Sequence, residues 1–262
     1  MAPLSRFGGS ADAEQTMWFL NWTPFALGHA QNPFVSNYLN HRLGINLLWN
    51  TGMPAASIVF WPLTRLWGVV MTFNVITTAC LSFSAFFAFL AIRRYVRSDL
   101  AAALGGLLYG FSPAMFAQEA GHAQVVLSFV TIPVALLLID ELLIRQRLRP
   151  WLLGLFIAGL GVLQFFIFEE FFVTEIMAAV ILILVMAVAH RSQVRSRLRY
   201  SLKSLSWAAG ICAAALVYPV VAVQFGSIGR VHGVIHSPDI FSTDLLNPVI
   251  PTTVQLLPRM GD

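Results

Sequence analysis

The chain has 262 residues, 58% of them hydrophobic and only 11% charged, with a mean hydropathy of +0.75. Such a composition lies far outside that of soluble domains and excludes a water-soluble enzyme. The net charge of +4 calls for no nucleic acid, because the excess of Lys and Arg on one side of a membrane protein accounts for it.

In chain order, GGSADAEQTMWF at residues 8–19 places Asp12 and Glu14 just before the first apolar run. The continuation QTMWFLNWTPFALGHA carries Trp18, Trp22 and Phe25 at helical spacing with too few apolar residues to span. This predicts a helix lying in the membrane interface, where Trp belongs. NPFVSNYLNHRLGINLLWNTG, with His41 and Arg42, reads as an ordered loop punctuated by Asn, Gly and Pro. Segment 54–67 is apolar but interrupted by Pro62 and Arg65, and reads as a second interfacial or re-entrant helix.

Crossing a hydrocarbon core of roughly 30 Å takes about 20 helical residues. Apolar runs near that length follow at 69–92, 123–144, 151–168, 171–189 and 205–225. A weaker one, 99–113, opens at Ser98-Asp99, a helix-cap signal, and ends at Ser112-Pro113. Continuous apolar character argues for helices rather than barrel strands, which alternate. The expectation is an all-α polytopic membrane protein with about six transmembrane helices and interfacial helices in an N-terminal outer loop. Its parts would be the outer loop 1–68, the helical bundle 69–225 and a second outer loop 226–262.

Eleven of the sixteen Lys and Arg residues fall in the connections at 93–97, 145–149 and 191–203, which places these ends in the cytoplasm. Asp12, Glu14, Glu119, Glu169, Glu170, Asp239 and Asp244 then lie outside or at the outer boundary, as do His29, His41, His122, His232 and His236. Polar chemistry therefore gathers on one face, although the outer segments are also longer. Cys80 and Cys212 sit within apolar runs as small hydrophobes. No disulfide or zinc motif, signal peptide or internal repeat is legible.

The order of parts, GGSADAEQ, then HRLGINLLWNTGMPAASIVFWPLTRLWG, then AIRRYVRS and LGGLLYGFSPAMFAQEAGHAQVV, resembles the GT-C superfamily of integral-membrane glycosyltransferases. The likeness is to the branch of protein O-mannosyltransferases, lipid A aminoarabinose transferases and actinobacterial arabinosyl- and mannosyltransferases, and covers about residues 8–145. It rests on element order and short motifs. The resemblance implies a sugar transferred from a polyprenyl-phosphate donor to a glycan, lipid or protein acceptor at the outer face of a bacterial plasma membrane. It places the catalytic carboxylate at Asp12, with Glu14 as second candidate, and brings Glu119 and His122 near the site. The family has a transmembrane helix where this chain has MAPLSRF, and continues beyond Asp262, so the expectation is a fragment, a shifted start or a reduced member.

Glycosyl transfer needs a base for the acceptor hydroxyl and stabilisation of the leaving phosphate. Arg42, Arg65 and Arg230, with His41, His122, His232 and His236, are the cations on the expected outer face, with a divalent metal as a further means. Asp12 also fits a helix cap or a dipole-complementing acid, and Glu14 a first-turn helix acid. In FEEFFVTE, Glu169 and Glu170 fit an outer turn or a donor or acceptor contact, and Glu175 falls within a span, where an ionisable group is a functional candidate. His232 and His236 have metal-ligand spacing, but the neighbouring glycines favour an irregular loop. The competing readings are a non-catalytic or truncated GT-C-like subunit and a transporter or lipid-translocating protein, against which no paired broken helices are visible.

Overall fold

The computed structural model describes residues 11–49, 52–119 and 121–226. The chain divides after Gly229, and the second unit, Arg230–Asp262, lies outside the described residues. Arg230, His232, His236, Asp239 and Asp244, and all but the start of the expected loop 226–262, therefore lie outside them too.

The described residues are almost entirely helical. Helix α1 (Ala11–Gly28) is followed by a two-residue antiparallel pair, β1 (Val35–Ser36) and β2 (Ile45–Asn46), with Val35 opposite Asn46. Two short helices come next, α2 (Pro54–Val59) and α3 (Trp61–Trp67), then α4 (Val69–Arg93), α5 (Asp99–Gly110) and α6 (Pro113–Glu119). The chain continues with α7 (Ala123–Asp140), closed by a π-turn at Glu141–Arg145, then α8 (Pro150–Phe165), α9 (Glu169–Ala189) and α10 (Arg191–Phe225). Segment 54–67 is thus two helices broken at Phe60. Pro54 and Pro62 each sit in a first helical turn, where a missing N–H costs nothing.

Among the described residues, five helical segments are long and apolar enough to cross a membrane: Val69–Arg93, Asp99–Glu119, Ala123–Arg145, Glu169–Ala189 and Val194–Phe225. α8, with 16 residues, is shorter than that, yet Leu148 just before it meets Tyr200 and Phe166 just after it meets Ala55, so it too runs from the Arg-rich end to the N-terminal segment. None of α9's residues is buried in the bundle, and its outward row includes Val173, Met177, Val180, Leu184 and Val188. An apolar surface of that length is one that lipid, not water, would cover.

Local chemistry sets several boundaries. Ser98 Oγ accepts from Ala101 N at 3.2 Å and starts α5, while Ser112-Pro113 breaks the segment between α5 and α6. Gly106 and Gly110 let α5 press onto α4. A Cβ at Gly110 would lie 2.5 Å from both Leu81 O and Ala85 N, and one at Gly106 2.5 Å from Ala85 O. This is close packing of two helices through small residues four apart.

The basic stretch 191–203, read above as a connection, is instead the beginning of α10. The reason lies in α7's end, whose last carbonyls need donors. Arg197 Nη1 donates to Leu143 O at 3.0 Å and to Ile144 O, Ser201 Oγ to Leu142 O at 2.9 Å, and Tyr200 OH to Leu148 O at 2.8 Å. Glu141 accepts from the backbone N–H groups of Arg147 and Leu148.

The N-terminal segment packs over the opposite end of the bundle. Ala13, Leu20, Met53 and Ala56 join Phe73 and Ile76 of α4, Met115 of α6 and Val126 of α7 in one buried cluster. Ser57 Oγ donates to Phe19 O at 2.9 Å, Ala55 N to Phe166 O at 3.2 Å, and Asn32 Nδ2 to Tyr218 OH at 2.8 Å. The Trp-bearing face of α1 is partly covered: Trp22 is 5% exposed beside Phe19, Ala26 and Leu47, and its Nε1 donates to Pro33 O at 2.9 Å.

Candidate functional site

Asp12 lies inside α1 (Ala11–Gly28), in the first turn of that range, rather than at a cap. A carboxylate there faces the partial positive charge of the helix start. α1 crosses the turn before α7, where Thr16 Oγ lies 3.5 Å from both Gly121 O and Gln124 Oε1. That crossing brings His122 Nε2 to 3.2 Å from Asp12 Oδ2.

The pair is more than half open on the acid's side, with Asp12 56% and His122 38% exposed. The other ring nitrogen, His122 Nδ1, is buried and has no hydrogen-bond partner among the described residues. An exposed pair contributes about 0–1 kcal/mol, whereas burying a large apolar side chain such as Phe19 or Leu20 contributes about 1.5–3 kcal/mol. The apolar face therefore holds α1 in place, and the polar pair is not required for that purpose.

Of the candidate catalytic and substrate-binding residues named from the sequence, Asp12 and His122 are, among the described residues, the two that form an ion pair. Glu14 is exposed, and two positions along a helix turn it about 200° away from Asp12. Glu119 ends α6 half-buried. His41 and Arg42 are exposed in the turn before β2, Arg42 with a left-handed backbone at φ 81°. Arg65 lies on α3 with its guanidinium carbon 5.9 Å from the centre of the Trp61 ring. Glu169 and Glu170 form the first turn of α9, Glu169 half-buried and Glu170 exposed. Among the described residues no group of three or more His, Cys, Asp or Glu is arranged to hold a metal ion. Asp12 and His122 alone do not make up such a site.

Two arrangements escaped the sequence. Trp18 and Trp22 stack at 5.1 Å and, with Asn21, Phe25 and Tyr38, line a cleft of about 400 Å³ on α1. The helical spacing of the tryptophans signalled a shared face, but Tyr38 arrives from the loop. Within the bundle, Thr131 Oγ lies 2.7 Å from Gln164 Oε1 and 2.8 Å from Glu175 Oε1, and Gln164 Nε2 donates to Ser128 Oγ at 2.8 Å. Only Glu175 of that set stood out in the sequence, because it is the ionisable one.

No curated protein and no solved structure gives a significant match. A family model described as Domain of unknown function (DUF6311) matches residues 6–262, and the chain belongs to that family.

Proposed function

We propose that the protein is a membrane glycosyltransferase of the GT-C kind, moving a sugar from a polyprenyl-phosphate donor to an acceptor hydroxyl at the outer membrane surface, with Asp12 as the base. The observation that carries the reading is the Asp12–His122 pair, formed by an acid and an imidazole far apart in the chain and too exposed to matter much for stability. In this mechanism the acceptor hydroxyl gives its proton to the Asp12 carboxylate as its oxygen bonds to the anomeric carbon. The bond from that carbon to the phosphate oxygen breaks, and polyprenyl phosphate leaves with the electron pair. His122 donates from Nε2 to Asp12 and fixes the carboxylate's direction. The carboxylate is the more exposed partner and His122 Nδ1 is buried, so an incoming hydroxyl meets Asp12 first.

Orientation belongs to the same proposal. The Arg-rich ends at 93–97, 145–149 and 191–203 face the cytoplasm by the positive-inside bias, and α1 with Asp12 faces outward. The test is turnover of donor by the full chain in vesicles. Polyprenyl phosphates carrying mannose, arabinose or aminoarabinose are supplied with a cell-envelope extract as acceptor, and free polyprenyl phosphate is measured. Release from one donor above protein-free vesicles is expected; release from none of the three would contradict the reading.

A further inference from the structure

The Arg-rich end of the bundle holds a second arrangement, away from Asp12. α4, α7 and α9 enclose a cavity of about 360 Å³ whose walls include Ala91, Ile92, Leu136, Leu182 and Met186. α9 forms its outer wall, and none of that helix is buried in the bundle. Asp140 and Tyr95 stand at the polar end of the cavity.

Asp140 is 2% exposed and carries more cation than it needs. Its Oδ2 accepts from Arg94 Nη1 at 2.7 Å and from Arg145 Nε at 2.6 Å, while Oδ1 accepts from Tyr95 OH at 2.6 Å. One carboxylate neutralises one guanidinium, which leaves an excess positive charge where the apolar cavity ends. Each guanidinium has five N–H donors. Besides the bonds to Asp140, the one further hydrogen bond from these two side chains among the described residues is from Arg94 Nη1 to Leu137 O at 3.3 Å. Arg94 and Arg145 remain 32% and 29% exposed, so their other donors can reach a ligand at the bundle's edge.

We propose that this is a binding site for a phospholipid of net negative headgroup, its phosphate on the spare donors of Arg94 and Arg145 and one acyl chain in the cavity. The charge complementarity selects the headgroup, since Arg's planar fork matches phosphate oxygens and basic pockets between membrane helices attract anionic lipids. The cavity selects a ligand with a tail, which free phosphate lacks. The site depends on membrane embedding alone, not on the transferase reading.

The experiment is native mass spectrometry of the purified full chain in detergent, titrated with phosphatidylglycerol, with phosphatidylcholine of the same acyl chains, and with inorganic phosphate. R145Q leaves Asp140 paired with Arg94 and Tyr95, and M186W narrows the cavity while keeping Arg94, Arg145 and Asp140 themselves unchanged. Wild type should hold phosphatidylglycerol about fivefold more tightly than phosphatidylcholine, the effect expected of one added cation. R145Q should lose that preference, M186W should weaken both lipids, and inorganic phosphate should not be retained. Circular dichroism checks that R145Q keeps its helices; if it does not, M186W with the two lipids decides. Equal affinity of the wild type for both lipids, an undiminished preference in R145Q, unchanged binding by M186W or retention of inorganic phosphate would each overturn the proposal.

Discussion

Glu175 and Thr131 meet at 2.8 Å across α9 and α7, inside the apolar length of both helices. Thr131 Oγ is also 2.7 Å from Gln164 Oε1 and 2.7 Å from Ser128 O, so three acceptors surround a hydroxyl that owns one proton. The arrangement closes if the Glu175 carboxyl donates to Thr131 Oγ and the Thr131 hydroxyl donates in turn to Gln164 Oε1 or to the backbone oxygen of Ser128. An amide supplies the same donor. E175Q should therefore match wild type in thermal unfolding, while E175A should cost about 1–2 kcal/mol through the lost link between helices. A carboxylic-acid C=O band at neutral pH, absent in E175Q, is the infrared signature. A destabilised E175Q without such a band in wild type would show that Glu175 works as a charge.

The contact of α5 with α4 through Gly110 predicts a second outcome. A valine there would drive its Cβ into Leu81 O and Ala85 N, both backbone atoms that cannot swing aside. G110V should lower stability by about 1–3 kcal/mol, read as an earlier unfolding midpoint in detergent. G159V, at a glycine with nothing near its Cβ position, is the control, and equal effects would refute the close-packing account.

The membrane sidedness has its own test. In intact cells an impermeant thiol reagent should modify L43C in the turn before β2 and leave R195C near the start of α10 unmodified. Labelling of R195C but not L43C would invert the orientation and remove the basis for an outward-facing Asp12.

His122 can be separated from stability. H122A removes the partner of Asp12, and because the pair is exposed the unfolding midpoint should move by no more than about 1 kcal/mol equivalent. Sugar transfer should fall, though less than on loss of the carboxylate. Full transfer by H122A would make the contact incidental.

Much of the bundle is legible in the sequence because continuous apolar runs and local stop signals are local properties. The Ser98 cap and the Ser112-Pro113 break lie where the sequence puts them. The helical character of 191–203 is not legible, since its polarity mimics a loop and the carbonyls that Arg197, Tyr200 and Ser201 satisfy belong to a distant segment. The same holds for the site. Asp12 and His122 are each visible as polar residues in apolar surroundings, but their contact depends on how α1 crosses α7. Thr131, Ser128 and Gln164 carry no charge and pass unnoticed until the helices pack.

The most direct measurement of the central claim is the rate of sugar transfer by D12N beside wild type, with donor binding followed in parallel. The amide keeps the shape of the carboxylate and the hydrogen bond to His122 while losing the proton acceptor. The account predicts that transfer falls by about 10²–10⁴-fold with donor affinity nearly unchanged. Transfer by D12N at close to the wild-type rate would contradict it and leave Asp12 as an acid that merely complements the start of α1.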